Sequence, residues 1–274
     1  MSSIVLSPGV RSSVLALQKI SSQAATLQLR IATGKKVNSP LDNPSSYFTA
    51  SALSQQASQL GDVVDGISNT QGAISAANNG IDAIKSLVQD AKSLANAALA
   101  TSDPTAKAAY ATQFNSLMSQ VDQLAGDSSF NGVNLLTGGS TTATFNPDGT
   151  SSYAVSGVNA NAASLSVANV TDFSNPAEVN LAMSQTGAAL DSLQSMSSSF
   201  STAASVLSVR ADFTKSMQSF LNGASDQLTA SDTNEDAASL LALQTRQQVA
   251  ATALSFTNNA DANVLRLFGF SKTA

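Results

Sequence analysis

Leu53, Leu60, Ile67, Ile74, Ile81, Val88 and Ala95 recur at intervals of seven without a break. A strand has no use for that period; it is the a/d-type seam of a long helix. A companion track, Val63, Ala77, Ile84, Ala91 and Ala98, is mostly small. The helix carrying both would be roughly 60 Å long at about 1.5 Å per residue. Gly61, Gly66, Gly72 and Gly80 lie inside it, each costing about 1 kcal/mol against Ala in a free helix. Such a segment needs packing partners to be stable.

Both ends of the chain carry the same kind of pattern. Val10, Leu17, Ala24 and Ile31 are spaced by seven, and Leu6, Ile20 and Leu27 form a second track. Pro40 and Pro44 are expected to end that helix, each removing a backbone donor and biasing its predecessor away from helix. Leu240, Leu243, Ala250, Leu254, Val264 and Phe268 mark a last helix. Neither terminal seam can be buried by its own helix, so the two ends should pair with each other, with the long inner helices bundled beside them.

Between them, the Asp of "TSDP" (101–104) reads as an N-cap opening a helix marked by Tyr110, Phe114, Leu117, Val121 and Leu124, antiparallel to the first long one. From Gly132 to about Pro176 the composition turns to Gly, Thr, Ser and Asn, with a strand-turn-strand signal around Pro147-Asp148-Gly149. Helical spacing resumes by Ala189 through Leu193, Phe200 and Leu207, then slips by one residue to Val206, Phe213 and Phe220 with Met217. The expected fold is mainly α: a long antiparallel helical bundle or coiled coil with paired N- and C-terminal helices and a small β-hairpin region.

Composition removes most chemistry. The 274 residues include no His, Cys or Trp. That excludes thiolate nucleophiles, Ser-His-Asp triads and His- or Cys-ligated zinc. The acids are scattered, with no D-x-D-x-D-G calcium loop. Glu235 and Asp236 are adjacent on a helix and diverge, so they serve the helix N-terminus rather than acid/base catalysis. No catalytic residue, metal site or cofactor is expected, and the chain does not read as an enzyme. A pI near 4.5 argues against nucleic acid. No apolar run approaches the length of a membrane span, and "MSSIVLSPGV" lacks the basic and apolar regions of a secretory signal. Charge is unevenly placed: Arg11, Lys19, Arg30, Lys35 and Lys36 precede the first acid, Asp42, which suggests an acidic partner for the N-terminal segment. By default Lys35 and Lys36 are solvated; their alternative is to pair with Asp42 or with a neighbour's acid. Tyr47, Phe48, Phe145 and Phe173 read as core or rim rather than ligand platforms.

Three separated motifs now carry a resemblance. Leu29, Thr33, Gly34, Lys36, Val37, Asn38, Ser39, Asp42 and Pro44 match a segment of bacterial flagellin, the filament subunit of the flagellum. "SSFNGVNLL" (128–136) is similar to that family's FNG element. "QTRQQVAATALSFTNNADANVLRLF" (244–268) resembles its closing helix, and Asp232 stands at its D-A-D step. The resemblance spans the first 136 residues and roughly the last 85.

It implies residues 1–39 and 231–274 as an inner coiled-coil domain, with a spoke over 33–46 containing Gly34, Lys35, Lys36, Asn38 and Asp42. Residues 47–137 and 186–230 would form a helical bundle domain, and 138–185 a short variable β-rich region in place of large outer domains. Val10, Val14, Leu17, Ile20, Leu27, Ile31, Leu254, Val264, Leu265 and Phe268 would drive filament assembly, ordering as they polymerise. The implied function is a structural subunit self-assembling into a filament for swimming motility. Its implied partners are further copies of itself, open to sister flagellins, with the flagellar export chaperone, cap and hook-junction proteins. The implied location is the extracellular filament, reached unfolded through the flagellum's own type III channel.

The alternatives are a hook-filament junction (hook-associated) protein and a secreted helical adhesin or translocator; the intact FNG element and C-terminal motif favour flagellin. One departure concerns flagellins detected by vertebrate Toll-like receptors. With Leu94 setting the register, Asp90 and Lys92 occupy the arginine positions of the receptor epitope, and Gln120 its glutamate position. A carboxylate for a guanidinium inverts the charge presented, so weak receptor activation is expected.

Overall fold

The computed structural model describes the backbone of residues 8–267 and the side chains of residues 8–263. Its described elements are α1 (Pro8–Thr33), α2 (Pro44–Ala100), α3 (Pro104–Asp127), β1 (Ser129–Phe130), β2 (Val133–Asn134), β3 (Ser140–Thr144), β4 (Ser152–Ser156), α4 (Pro176–Thr229) and α5 (Thr233–Leu267). The fold is mainly α with small antiparallel strand pairs. The chain divides into two compact units: Gln56–Phe220, and the described residues up to Gln55 together with those from Leu221 onward.

In the unit Gln56–Phe220 the seven-spaced tracks of α2 form the core. Ile67, Ile74, Ile81, Val88 and Ala95 are fully buried, as are Ala77, Ile84, Ala91 and Ala98. Asp103 caps α3 by accepting from Thr105 N–H (2.9 Å), with Pro104 in the first turn. α3 runs antiparallel to α2: Gly80 faces Ser128, and Gly72 faces Phe130. Phe114 and Val121 are buried with Ala111, Met118 and Ala125, while Tyr110, Leu117 and Leu124 pack at the edge of that core.

α4 is also antiparallel to α2, the Lys85 ammonium donating to Gln194 (2.8 Å). It starts at Pro176, thirteen residues before the Ala189 expected from spacing, and Asn175 caps it through Ala177 N–H (2.9 Å). Nor does its seam slip as expected. Burial continues on strict sevens from Leu193, Phe200 and Leu207 to Thr214, whose hydroxyl donates to Arg210 C=O (2.8 Å). The alternative positions Val206, Phe213, Met217 and Phe220 are exposed. A satisfied threonine holds the heptad where the aromatics suggested a slip.

Two hairpins follow α3. Asn131 and Gly132 both have positive φ (48° and 79°), the requirement of a type I′ turn, so the FNG element is itself the hairpin β1–β2, ahead of the expected β-rich stretch. β3 and β4 pair antiparallel, Thr142 opposite Ala154, across a turn in which Gly149 has φ 69°. The following irregular segment buries Ala160, Leu165, Val167 and Phe173. Two polar side chains of α3 tie it down: Asn115 donates to Val170 C=O and accepts from Val170 N–H (2.8 and 3.0 Å), and Asp122 accepts from Ala162 N–H (2.8 Å). Phe173 meets Phe114 edge to face, centroids 5.6 Å apart. Phe145 carries the Arg210 guanidinium 4.9 Å above its ring, a pairing the sequence spacing did not suggest.

In the second unit α1 and α5 pair antiparallel, Gly9 lying against Thr257. α1 does not run to Pro40. Gly34, with φ 66°, closes it as a left-handed cap. Pro44 opens α2 instead of ending α1: Asn43 caps, accepting from Ser46 N–H (3.1 Å), and a proline in the first turn loses no helical hydrogen bond.

Candidate assembly surfaces

The connector between α1 and α2 is built from backbone. Lys36 N–H donates to Thr229 C=O (2.7 Å) and Ser231 N–H to Gly34 C=O (2.9 Å), so the outgoing chain and the α4–α5 junction are stitched together. Asn38 holds the next turn by donating to Lys35 C=O (2.8 Å). The Asp42 carboxylate accepts from Asn38 N–H (3.0 Å), Ser39 N–H (2.9 Å) and Ser39 Oγ (3.1 Å). Those donors, the Asn38 amide foremost, with a smaller contribution from the Arg30 charge, hold its pKa below the ordinary aspartate value. The base acting on Asp42 is thus Arg30 rather than Lys35 or Lys36, both of which are exposed. Val37 is buried beneath the turn, while Leu41 stands 94% exposed at its tip.

At the far side of the joint, Asp232 caps α5 by accepting from the N–H groups of Asn234 and Glu235 (3.0 and 3.2 Å), and the buried Asp236 carboxylate accepts from the Ser231 hydroxyl. The adjacent acids Glu235 and Asp236 lie in the first turn of α5, where negative charge favours the helix.

Of the ten seam residues, Val10 is buried and Val14, Leu17, Ile20, Leu27, Ile31 and Leu254 are half-buried. They lie on the α1–α5 pair and are partly covered, Leu27 lining a groove along it. Val264 and Leu265 fall in α5 beyond the described side chains, and Phe268 lies outside the described residues. Sequence reasoning missed the residues that do stand open: Leu15 and Leu29 on α1, two seven-residue steps apart, and Leu241, Val249 and Phe256 on α5. These tracks carry fewer apolar residues than the seams, so their spacing gives a weaker signal. In the other unit, Val206, Val209, Phe213, Met217 and Phe220 form an exposed stripe on α4 at three- and four-residue steps. Asp90 and Gln120 are exposed, and Lys92 and Leu94 half-buried.

Among the described residues no group of three or more His, Cys, Asp or Glu is placed to hold a metal ion, and no helix is long and apolar enough to cross a membrane. What the geometry offers is helical surface: a terminal helix pair with uncovered apolar tracks, joined by a backbone-stitched connector. Large apolar side chains left open along both helices of a pair are the surface of a protein interface, which points to a structural, interaction-bearing class of protein.

The comparisons identify the class more closely. A family profile described as bacterial flagellin N-terminal helical region matches residues 12–141. The chain is 31% identical to flagellin FljK of Caulobacter vibrioides over 93% of its own length and 95% of that protein's. It is 27% identical to a flagellin of Brucella melitensis over 94% and 96%. A crystal structure of Bacillus cereus flagellin overlaps 53% of this chain and 86% of its own, with 15% identity and a TM-score of 0.48. The chain belongs to the bacterial flagellin family and is a structural subunit of the flagellar filament.

Proposed function

We propose that the terminal helix pair is the element through which copies assemble. The observation that carries this is the set of apolar side chains left open on both of its helices, Leu15 and Leu29 on α1 and Leu241, Val249 and Phe256 on α5. Among the described residues those tracks are left uncovered, and a head-to-tail contact that does not close on itself generates a filament. In this reading residues 1–39 and 231–274 form the inner layer, 33–46 the spoke, 47–137 and 186–230 the surrounding bundle, and 138–185 the outward-facing variable region. Val10, Val14, Leu17, Ile20, Leu27, Ile31, Leu254, Val264, Leu265 and Phe268 are the seam residues this reading assigns to filament assembly, together with the open tracks.

Secretion through the flagellum's own channel, and handling by an export chaperone, a cap and hook-junction proteins, belong to the same proposal and rest on family membership. Weak activation of Toll-like receptors is proposed from Asp90 and Gln120, whose exposure supports their presenting altered chemistry to a partner.

Electron microscopy of purified chain with short filament seeds tests the assembly role, comparing full length with a truncation lacking residues 1–35 and 240–274. Long filaments from the full chain alone are expected. Equal growth from the truncated chain removes the terminal helices from the mechanism.

A further inference from the structure

Along the α1–α5 pair runs a groove of about 520 Å³ lined by Gln23, Leu27 and Arg30 of α1 and Ser239, Leu243 and Arg246 of α5. Two guanidinium-bearing residues share it, and among the described residues no carboxylate lines it. Arg30 is half-buried, and its Nε is shielded from solvent without a hydrogen-bond partner. A buried donor left unmade costs stability until an acceptor arrives. The nearby Asp42 feels the Arg30 charge, but both Asn38 and Ser39 already hold its carboxylate. Two guanidinium-bearing residues lining one groove with Leu27 and Leu243, one of them with an unfilled donor, describe a receptor for an acidic side chain from outside the protomer.

The rest of the chain is suited to supply it. Of thirteen Lys and Arg against eighteen acids, five bases and no acid precede Asp42, leaving eight bases against eighteen acids from Asp42 onward. A polymer of identical copies therefore brings the basic α1, with Arg11, Lys19 and Arg30 and no acid, together with strongly acidic surface. We propose that the Arg30–Arg246 groove docks a carboxylate of a second copy of this chain, an electrostatic contact that adds register to the apolar tracks. This rests on the filament reading above and deepens it: apolar surface slides, whereas a carboxylate set between two guanidinium groups fixes axial position.

The test uses the full chain in seeded polymerisation with Arg246→Gln, Arg246→Glu and Arg246→Lys. Arg246 is exposed, so monomer helicity and melting temperature are expected to be unchanged. The glutamine variant should raise the critical concentration about fivefold, the glutamate variant more, and the lysine variant less. The salt dependence of wild-type growth should flatten in the glutamine variant. The absence of cysteine allows a single thiol at Ala242→Cys, in the same groove, whose maleimide reaction should slow at least about tenfold on polymerisation.

Arg246 variants that grow like wild type, or a thiol at position 242 equally reactive in monomer and filament, overturn the groove contact while leaving the filament reading standing. Protection of that thiol in the unpolymerised monomer by millimolar sulfate, with no further change in the filament, assigns the groove to a small anion and overturns it as well. A wild-type chain that forms no filaments on seeds overturns both.

Discussion

A β-carbon built on Gly80 would lie 2.1 Å from the Ser128 hydroxyl oxygen and 2.7 Å from a Leu136 methyl. The glycine in the middle of α2 is thus the seat on which the start of the FNG hairpin rests. Its helix-propensity cost is offset by an approach that no other residue permits. Gly80→Ala is expected to destabilise the monomer by about 1–3 kcal/mol in urea unfolding, overpacking outweighing the roughly 1 kcal/mol gain in propensity. Gly66, which has nothing within 4 Å of its β-carbon position, provides the opposite case: Gly66→Ala should stabilise by about 0.5–1 kcal/mol. Stabilisation by both changes would remove the packing argument.

Asn115 acts as a side-chain strand for Val170, filling both of its backbone groups. Asn115→Ala leaves a largely buried N–H and C=O without partners, at an expected cost of about 1–3 kcal/mol. Because the bond anchors one segment, limited proteolysis should cut first within residues 157–175 in the variant. Wild-type protease resistance there would show that Asp122 and the Phe114–Phe173 contact suffice.

The connector turn should weaken in acid. Asp42 titrates below the ordinary aspartate value in the folded chain, so its support is complete above about pH 3.9 and is lost as pH falls through that lower folded value. Hydrogen exchange at the Ser39 amide reads this directly: protection is expected to hold at pH 5 and decline below pH 4. Asp42→Asn should show the weakened state already at neutral pH, and unaltered protection in that variant would contradict the role given to the carboxylate.

Leu241 and Phe256, the latter 71% exposed on α5, should matter to assembly and little to folding. The double change Leu241→Ser, Phe256→Ser is expected to leave monomer stability within about 0.5 kcal/mol while abolishing seeded filament growth. Loss of helicity in the unassembled variant would instead place these side chains in the fold.

Receptor activation offers a check independent of assembly. Monomer applied to Toll-like receptor reporter cells is expected to signal weakly, and Asp90→Arg with Gln120→Glu to signal more strongly. Strong signalling by the unaltered chain would show that the charge at Asp90 is immaterial.

How much of this was legible from sequence depended on how local the cause was. The α2 seam was, because fully buried positions such as Ile67, Ile74 and Ile81 must all be apolar and evenly spaced. The seam of α4 misled near Thr214: Val206, Phe213 and Phe220 suggest a one-residue slip, although Thr214 keeps the buried track with its hydroxyl satisfied by the preceding turn of its own helix. The true start of α4 had a local signal, Asn175 followed by Pro176, masked by the Ser- and Asn-rich stretch around it. The tie between Asn115 and Val170 spans 55 residues, and nothing in either neighbourhood announces it. On the terminal helices the densest apolar tracks are legible and half-buried, whereas the sparser tracks of Leu15, Leu29, Leu241, Val249 and Phe256 stand exposed without a spacing signal of comparable strength.

The joint where the chain leaves α1 and returns into α5 is stitched by peptide groups, Lys36 to Thr229 and Ser231 to Gly34. Any load carried by one strand of that joint is shared with the other, as in a doubled seam. Since the stitches belong to the main chain, the exposed side chains of Lys35 and Lys36 can differ between related subunits without unpicking it. A filament that mixes such subunits would keep the same tensile fastening at every position along its length.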